Sequence, residues 1–295
     1  MGESGLQLSC GALSALVAPD AGGSLAAFSA HGQEMMRQAV PPTSSDALDM
    51  ACYPLVPFSN RIANGRFRFA DRTISLAPAP ESPPHALHGI GWRRPWKVAS
   101  ASGRRIELAL RHDGDEWPWP FEARETFDLD GSALTIALTL CNRADEPMPA
   151  GLGLHPFFPG PAEAKLRADL PYVWETTADK LPIRRVDTPA AWDFAQGRAI
   201  AGLDLDTCFS GSGGSAQDPI SIEWPNRAWA LSIESRGAGH AIIYAPPDRD
   251  FFCVEPVSHV PDAVNRPESA DATGLRILGP GEEMALACRF AVVPR

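Results

Sequence analysis

Hydrophobic residues along this chain recur at every second position, in short segments divided by turn-forming residues. Ile106, Leu108 and Leu110 alternate with other residues, as do Phe121 and Ala123 and, further on, Phe127 and Leu129. Asp130-Gly131 marks a hairpin, and Leu134, Ile136, Leu138 and Leu140 alternate after it. Period-2 segments joined by short turns predict an antiparallel meander. Trp229 to Glu234, His240 to Tyr244 and Met284 to Val293 continue the pattern, and no long amphipathic helix is visible. Nothing reads as a linker, so residues 1–295 are expected to form one all-β domain, a large antiparallel β-sandwich of two packed sheets.

The remaining segments fill in that picture. Leu6 to Val17 reads as one or two strands, Pro19 to Gly23 as a turn, and Ser24 to Ser29 as a further strand. Gln33 to Gln38 reads as a short helical turn. In Ala51 to Asn64 (ACYPLVPFSNRIAN) two prolines argue against a helix or a central strand, which leaves Asn60, Arg61 and Asn64 in irregular backbone. Gly65 to Ala70 alternates like a hairpin strand, Pro78 to His88 is a proline-rich loop, and Gly211 to Ser215 (GSGGS) is a surface loop.

The stretch richest in chemistry is Phe251 to Asn265. Phe251, Phe252, Cys253 and Val254 form an unbroken apolar run, which Glu255 closes and after which Pro256 is expected to prevent further regular pairing. A carboxyl group at the end of a buried strand is costly unless paired. Burial raises its pKa towards neutrality, which suits a general base. Asn60-Arg61, His88 in HALHGIGW, His155 in GLGLHPFFP and, more weakly, Asp206 in LDLDTCFSG are polar residues beside similar loop-forming positions. His259 would either reach a substrate or orient its loop. Trp92, Trp117 and Trp119 would either form a face for a sugar ring or fill the core.

Composition narrows the function. The net charge of −10 disfavours nucleic acid and anionic membranes and is compatible with a neutral substrate. The six cysteines form no CxxC pair and read as buried, reduced thiols of a cytoplasmic protein. The first ten residues, MGESGLQLSC, carry an acidic residue where a signal peptide needs basic ones, and Leu6 breaks the myristoylation pattern. No apolar run approaches the length of a membrane span. No HExxH, CxxC or clustered His pair has metal-ligand spacing, and GxSxG, Walker and GxGxxG motifs are missing. What remains is histidine and carboxylate chemistry without a nucleophile, that is, proton transfer in both directions.

Taken together, AGGSLAAFSAHGQEMMR, YPLVPFSNRIANGRF, HALHGIGW, GLGLHPFFP, LDTCFSG and VEPVSHVPDAVN resemble the aldose 1-epimerase (galactose mutarotase) family, in the family's order and over nearly the whole chain. The resemblance implies a β-sandwich of the galactose mutarotase-like type with an open cleft on one sheet. It implies His155 as general acid on the sugar's ring oxygen and Glu255 as general base on the C1 hydroxyl. His88 would stand near the reacting centre, and Arg61, Asn60, Asp206 and Trp92 would contact the sugar. It implies a small-molecule hexose as partner, and neither cofactor nor metal; a monomer and a homodimer are equally compatible.

Two segments depart from the family's galactose enzymes. SPPHALHG places His85 where they carry an amide-bearing, glycine-rich loop, and EWPWPFEA (Glu116 to Ala123) replaces their Gly-Tyr-Pro-Gly. Arg93 and Arg94 would either favour a phosphorylated or sulfonated hexose or serve as solvated strand-end charges. A sugar-binding protein without turnover is the alternative from another class, against which stands the presence of both His155 and Glu255.

Overall fold

The chain is described here by a computed structural model covering residues 5–40, 44–211 and 219–295. Residues 1–4 of the N-terminal MGESGLQLSC and 212–215 of the expected GSGGS loop lie outside the described residues. Two antiparallel sheets dominate. The first has eleven strands among the described residues; its centre runs Ser24–Ala30, Cys52–Leu55, Gly153–Pro159, Phe251–Val257, His240–Ala245, Leu205–Ser210. The second has nine, centred on Arg105–His112, Phe121–Leu129, Ala133–Asn142, Glu283–Pro294 and Trp229–Arg236. Among the described residues the one α-helix is Ala270–Thr273, and no helix is long and apolar enough to cross a membrane.

The second sheet follows the predicted alternation. Along Phe121–Leu129 every second residue is buried, and each points at the first sheet. The Asp130 hairpin is closed by its own carboxylate, which accepts hydrogen bonds from the Ser132 and Ala133 amides (2.6 and 2.8 Å). The first sheet does not alternate at its centre, because both of its faces are covered. Phe252 and Val254 enter the core between the sheets, while Cys253 and Val257 join a second apolar cluster with Tyr53, Phe157 and Trp92 on the outer face. That is why Phe251 to Val254 is an unbroken apolar run.

Three local expectations are corrected. Gln33–Met36 is a strand, not a helical turn. His31 and Gly32 both have positive φ (52° and 75°), the conformation of a two-residue hairpin loop, and Ala30 pairs with Gln33 across it. Cys52–Leu55 is a central strand despite Pro54. Its pairing with Ser24–Ala30 is confined to Leu25↔Cys52, so by Pro54 there is no ladder left on that side for the missing N–H to interrupt. Finally, Glu255 does not end its strand. Pairing continues through Pro256↔Ala241 and Val257↔His240.

Candidate active site

The site begins as a gap in a ladder. Gly153–Pro159 and Phe251–Val257 are antiparallel, paired at Gly153↔Val257 and again at Phe157↔Cys253, Phe158↔Phe252 and Pro159↔Phe251. Between these, Pro156 on one strand and Pro256 on the other lack the N–H that a ladder needs. His155 and Glu255 face one another in the gap. His155 Nε2 lies 3.3 Å from Glu255 Oε1, and both side chains are almost fully buried.

Their surroundings shift both groups. The His155 ring packs against Tyr53 and Phe157, each with its centroid 4.6 Å away and the two in contact with one another at 5.9 Å. Burial draws its pKa from 6.5 down to about 3. Burial likewise pushes the Glu255 carboxyl well above the usual carboxylate range; Asp206 adds to this and Arg61 opposes it. His155 Nδ1 and Glu255 Oε2 have no hydrogen-bond partner within the protein.

His88 and Asn60 are locked to each other. The His88 amide donates to the Asn60 carbonyl (2.9 Å), and the Asn60 amide donates to His88 Nδ1 (3.1 Å). Both residues have positive φ (60° and 59°), strain that cross-linked loops over a site can hold. Because Nδ1 accepts, the proton of the neutral ring belongs on Nε2. Burial, together with His155 and Arg61, holds the His88 pKa well below its ordinary value, so the ring is a neutral donor at neutral pH. Arg61 donates to Asp206 (3.2 Å), Ser82 (3.0 Å) and Asn60 Oδ1 (3.2 Å), joining residues remote in sequence.

These groups line one cleft of about 560 Å³, within the range of small-molecule sites. His155, Glu255, His88, Arg61, Asn60 and Asp206 are all in its wall. Trp92 is not. It is buried behind the wall, stacked on Tyr53 at 5.3 Å and edge-on to His88 at 5.9 Å, so it supports those rings and offers no face to the cleft. Trp117 and Trp119 pack with Phe58 and Phe67 in the core. His259 orients its loop: Nε2 accepts from the Ser59 amide (3.0 Å) and Nδ1 donates to the Val260 carbonyl (2.7 Å). A Cβ on Gly151 would lie 1.8 Å from that ring, which explains the first glycine of GLGLHPFFP. His85 is also structural, accepting from the Asn64 amide (3.0 Å) and facing Asp179 (3.1 Å).

This geometry coincides with a family match: the sequence profile described as aldose 1-epimerase covers residues 6–291. The chain belongs to the aldose 1-epimerase family. It is 32% identical over 248 residues to the protein YphB of Escherichia coli K12, covering 81% of this chain and 82% of that one. A solved E. coli K12 structure, provisionally assigned as an aldose 1-epimerase, superposes with a TM-score of 0.90 at 29% identity over the full length of both chains. A galactose mutarotase-like protein from Clostridium acetobutylicum superposes with a TM-score of 0.87 at 18% identity, over 98% of this chain and 95% of that one, which shows the shared fold.

Within this family member, the sequence reading missed several cleft residues. Tyr53 stands directly across the sheet from His155, and its ring stacks on the imidazole. Arg37 donates to the Leu48 and Met50 carbonyls (2.6 and 2.8 Å) and lies over the Phe157 and Phe251 rings. Tyr53 sits in an otherwise apolar strand and Arg37 in a segment misread as helical, so neither carried a local signal. Arg93 and Arg94, by contrast, stay out of the cleft wall. Arg93 pairs with Glu81 and covers Trp92; Arg94 pairs with Asp115 (3.2 Å) and Glu116 (2.8 Å). Replacing both with Gln is expected to leave KM for a neutral hexose and for its 6-phosphate unchanged. A rise confined to the phosphate would return an anion-reading role to them.

Proposed function

We propose that this chain interconverts the α and β anomers of a hexose. The observation that carries the reading is the buried His155–Glu255 contact at 3.3 Å in the wall of a sugar-sized cleft, with the acid's pKa lowered and the base's raised. Glu255 takes the proton of the C1 hydroxyl while His155 protonates the ring oxygen, and the C1–O5 bond breaks to give the open aldehyde. Rotation about C1–C2 and reversal of both transfers close the ring with either configuration. The pair holds one mobile proton throughout. Carboxylate with imidazolium, and carboxylic acid with imidazole, differ only in where that proton sits; burial favours the uncharged pair at rest, and the 3.3 Å contact is the path by which the proton reaches His155 when a sugar is bound. His88 Nε2–H is a neutral donor beside the reacting centre, and Arg61, Asn60 and Asp206 hold sugar hydroxyls.

In the wall, Arg37 and Arg61 already donate to carbonyls and to Asp206, whereas among the described residues the exposed Arg249 does not, so neutral hexoses and hexose 6-phosphates are both compared. A polarimetric mutarotation assay over glucose, galactose and hexose 6-phosphates tests the reading. Binding without acceleration of anomer exchange would replace it with a sugar-binding role.

Arg61→Ala and Asp206→Ala are expected to raise KM and lower kcat/KM about ten- to a hundredfold, the usual value of a charged hydrogen bond. They should also move the alkaline limb of the pH profile in opposite directions. Removing the Arg61 cation raises the Glu255 pKa and moves the limb up; removing Asp206 lowers it and moves the limb down. Shifts of the same sign would show that neither charge acts on Glu255.

A further inference from the structure

Cys253 lies beside the acid–base pair, and the ring-opening chemistry gives it no task. It lies two positions before Glu255 on the same strand, opposite Phe157, and is fully buried on the outer face of the sheet. Strand alternation puts Cys253 and Glu255 on one side, and the antiparallel register puts His155 there with them. A nitrogen of His155, the Cys253 sulfur and an oxygen of Glu255 all lie within 4.8 Å of one another. No spacing in the sequence announces this trio, because it is assembled across two strands.

We propose that His155, Cys253 and Glu255 form a site for a thiophilic divalent cation of the zinc class, which inhibits the chain by displacing the proton shared by the acid–base pair. Imidazole, thiolate and carboxylate are the ligand types such ions select, at about 2.0–2.3 Å. An ion about 2.05 Å from both His155 Nε2 and Glu255 Oε1, which stand 3.3 Å apart, would subtend an angle of about 107°, close to tetrahedral. The sulfur completes three protein ligands after a sub-ångström to ångström contraction. The fourth position faces the cleft, open to water or to a sugar hydroxyl. Independently of the spacing, Glu255 Oε2, the second oxygen of the ligating carboxylate, is a buried polar atom without a protein partner, so that carboxylate has unused ligand capacity. The cation is an inhibitor here, and chelators protect activity.

The test has an activity arm and a spectroscopic arm. Chelator-buffered Zn²⁺ is expected to suppress mutarotation by the wild-type protein, reversibly on adding excess chelator. Cys253→Ala should keep its uninhibited rate and require about tenfold or more Zn²⁺ for the same suppression. In the second arm Co²⁺ replaces Zn²⁺. The wild type should develop thiolate-to-cobalt charge-transfer absorption that Cys253→Ala and Glu255→Gln lose or weaken. Cys253→Ser, closer in volume, serves if the alanine variant melts early. Equal Zn²⁺ sensitivity of wild type and Cys253 variants, or a cobalt–thiolate band that survives Cys253→Ala, overturns the proposal. The cobalt arm reads the site without any sugar. A protein that binds Co²⁺ through Cys253 but does not mutarotate would therefore refute the proposed function and leave the cation site standing.

Discussion

Glu255→Gln and His155→Asn should each lower kcat for anomer exchange by about 10²–10⁴-fold, or roughly 3–5 kcal/mol of barrier, while sugar binding stays measurable. Each replacement keeps approximate shape and hydrogen-bonding capacity, so the cleft survives and only proton transfer is lost. The pH profile of kcat/KM carries the same information. The wild-type pair is active with one proton. Gaining a second requires imidazolium in a buried stack, and burial has drawn His155 down to about 3, which places the acid limb far below that of a free histidine. Losing the last proton leaves a buried carboxylate, and burial has raised Glu255, which places the alkaline limb well above the ordinary carboxylate range. The expected profile is a broad plateau between those two limbs. If Glu255→Gln retains more than about a tenth of wild-type turnover, the base is another group.

The second large effect concerns stability. Glu125 sits in the Phe121–Leu129 strand with its side chain in the core between the sheets, across from Leu108 and Leu138. It is buried, and one of its oxygens lacks any partner. Burial alone holds its pKa well above the 4.5 of an unfolded glutamate. Below that unfolded value the carboxyl is neutral in both states and costs little beyond desolvation. As pH rises past it, the unfolded chain ionises while the folded chain cannot, so stability falls until the folded pKa is reached. The slope reaches at most about 1.4 kcal/mol per pH unit. Glu125→Leu should remove that slope and, at neutral pH, stabilise the fold by about 1–3 kcal/mol, the cost of a buried unsatisfied polar group. Urea titrations of both proteins across about pH 5–8 measure it. Parallel stability curves for wild type and variant would show that Glu125 is solvated in the folded state.

The parts of this protein legible in its sequence are those whose cause is local. Alternation along Phe121–Leu129 and Ala133–Asn142 dictates half-buried antiparallel strands, and Asp130-Gly131 dictates the turn between them. The motifs around Asn60, His88, His155, Asp206 and Glu255 could be read because each puts a polar group beside glycine or proline in an apolar context. Those residues do meet in one cleft. The errors were local as well. Pro54 and Pro256 were read as breaks because proline removes a donor, yet a strand needs that donor only where a neighbour is paired to receive it. Trp92 was assigned to the sugar because an indole can form a face for a sugar ring; the Gly91–Arg93 turn carries it behind the wall.

What only the tertiary structure decided is everything that depends on register. His155 and Glu255 are opposed because two prolines, one on each strand, stand on the rungs either side of theirs, and neither strand alone encodes that coincidence. The pKa shifts follow, since the Tyr53 and Phe157 rings that desolvate His155 come from two different strands. The His155–Cys253–Glu255 trio and the stranded Glu125 carboxyl arise the same way. A side chain's type is written in the chain, but its dielectric surroundings are set by whatever the fold lays against it.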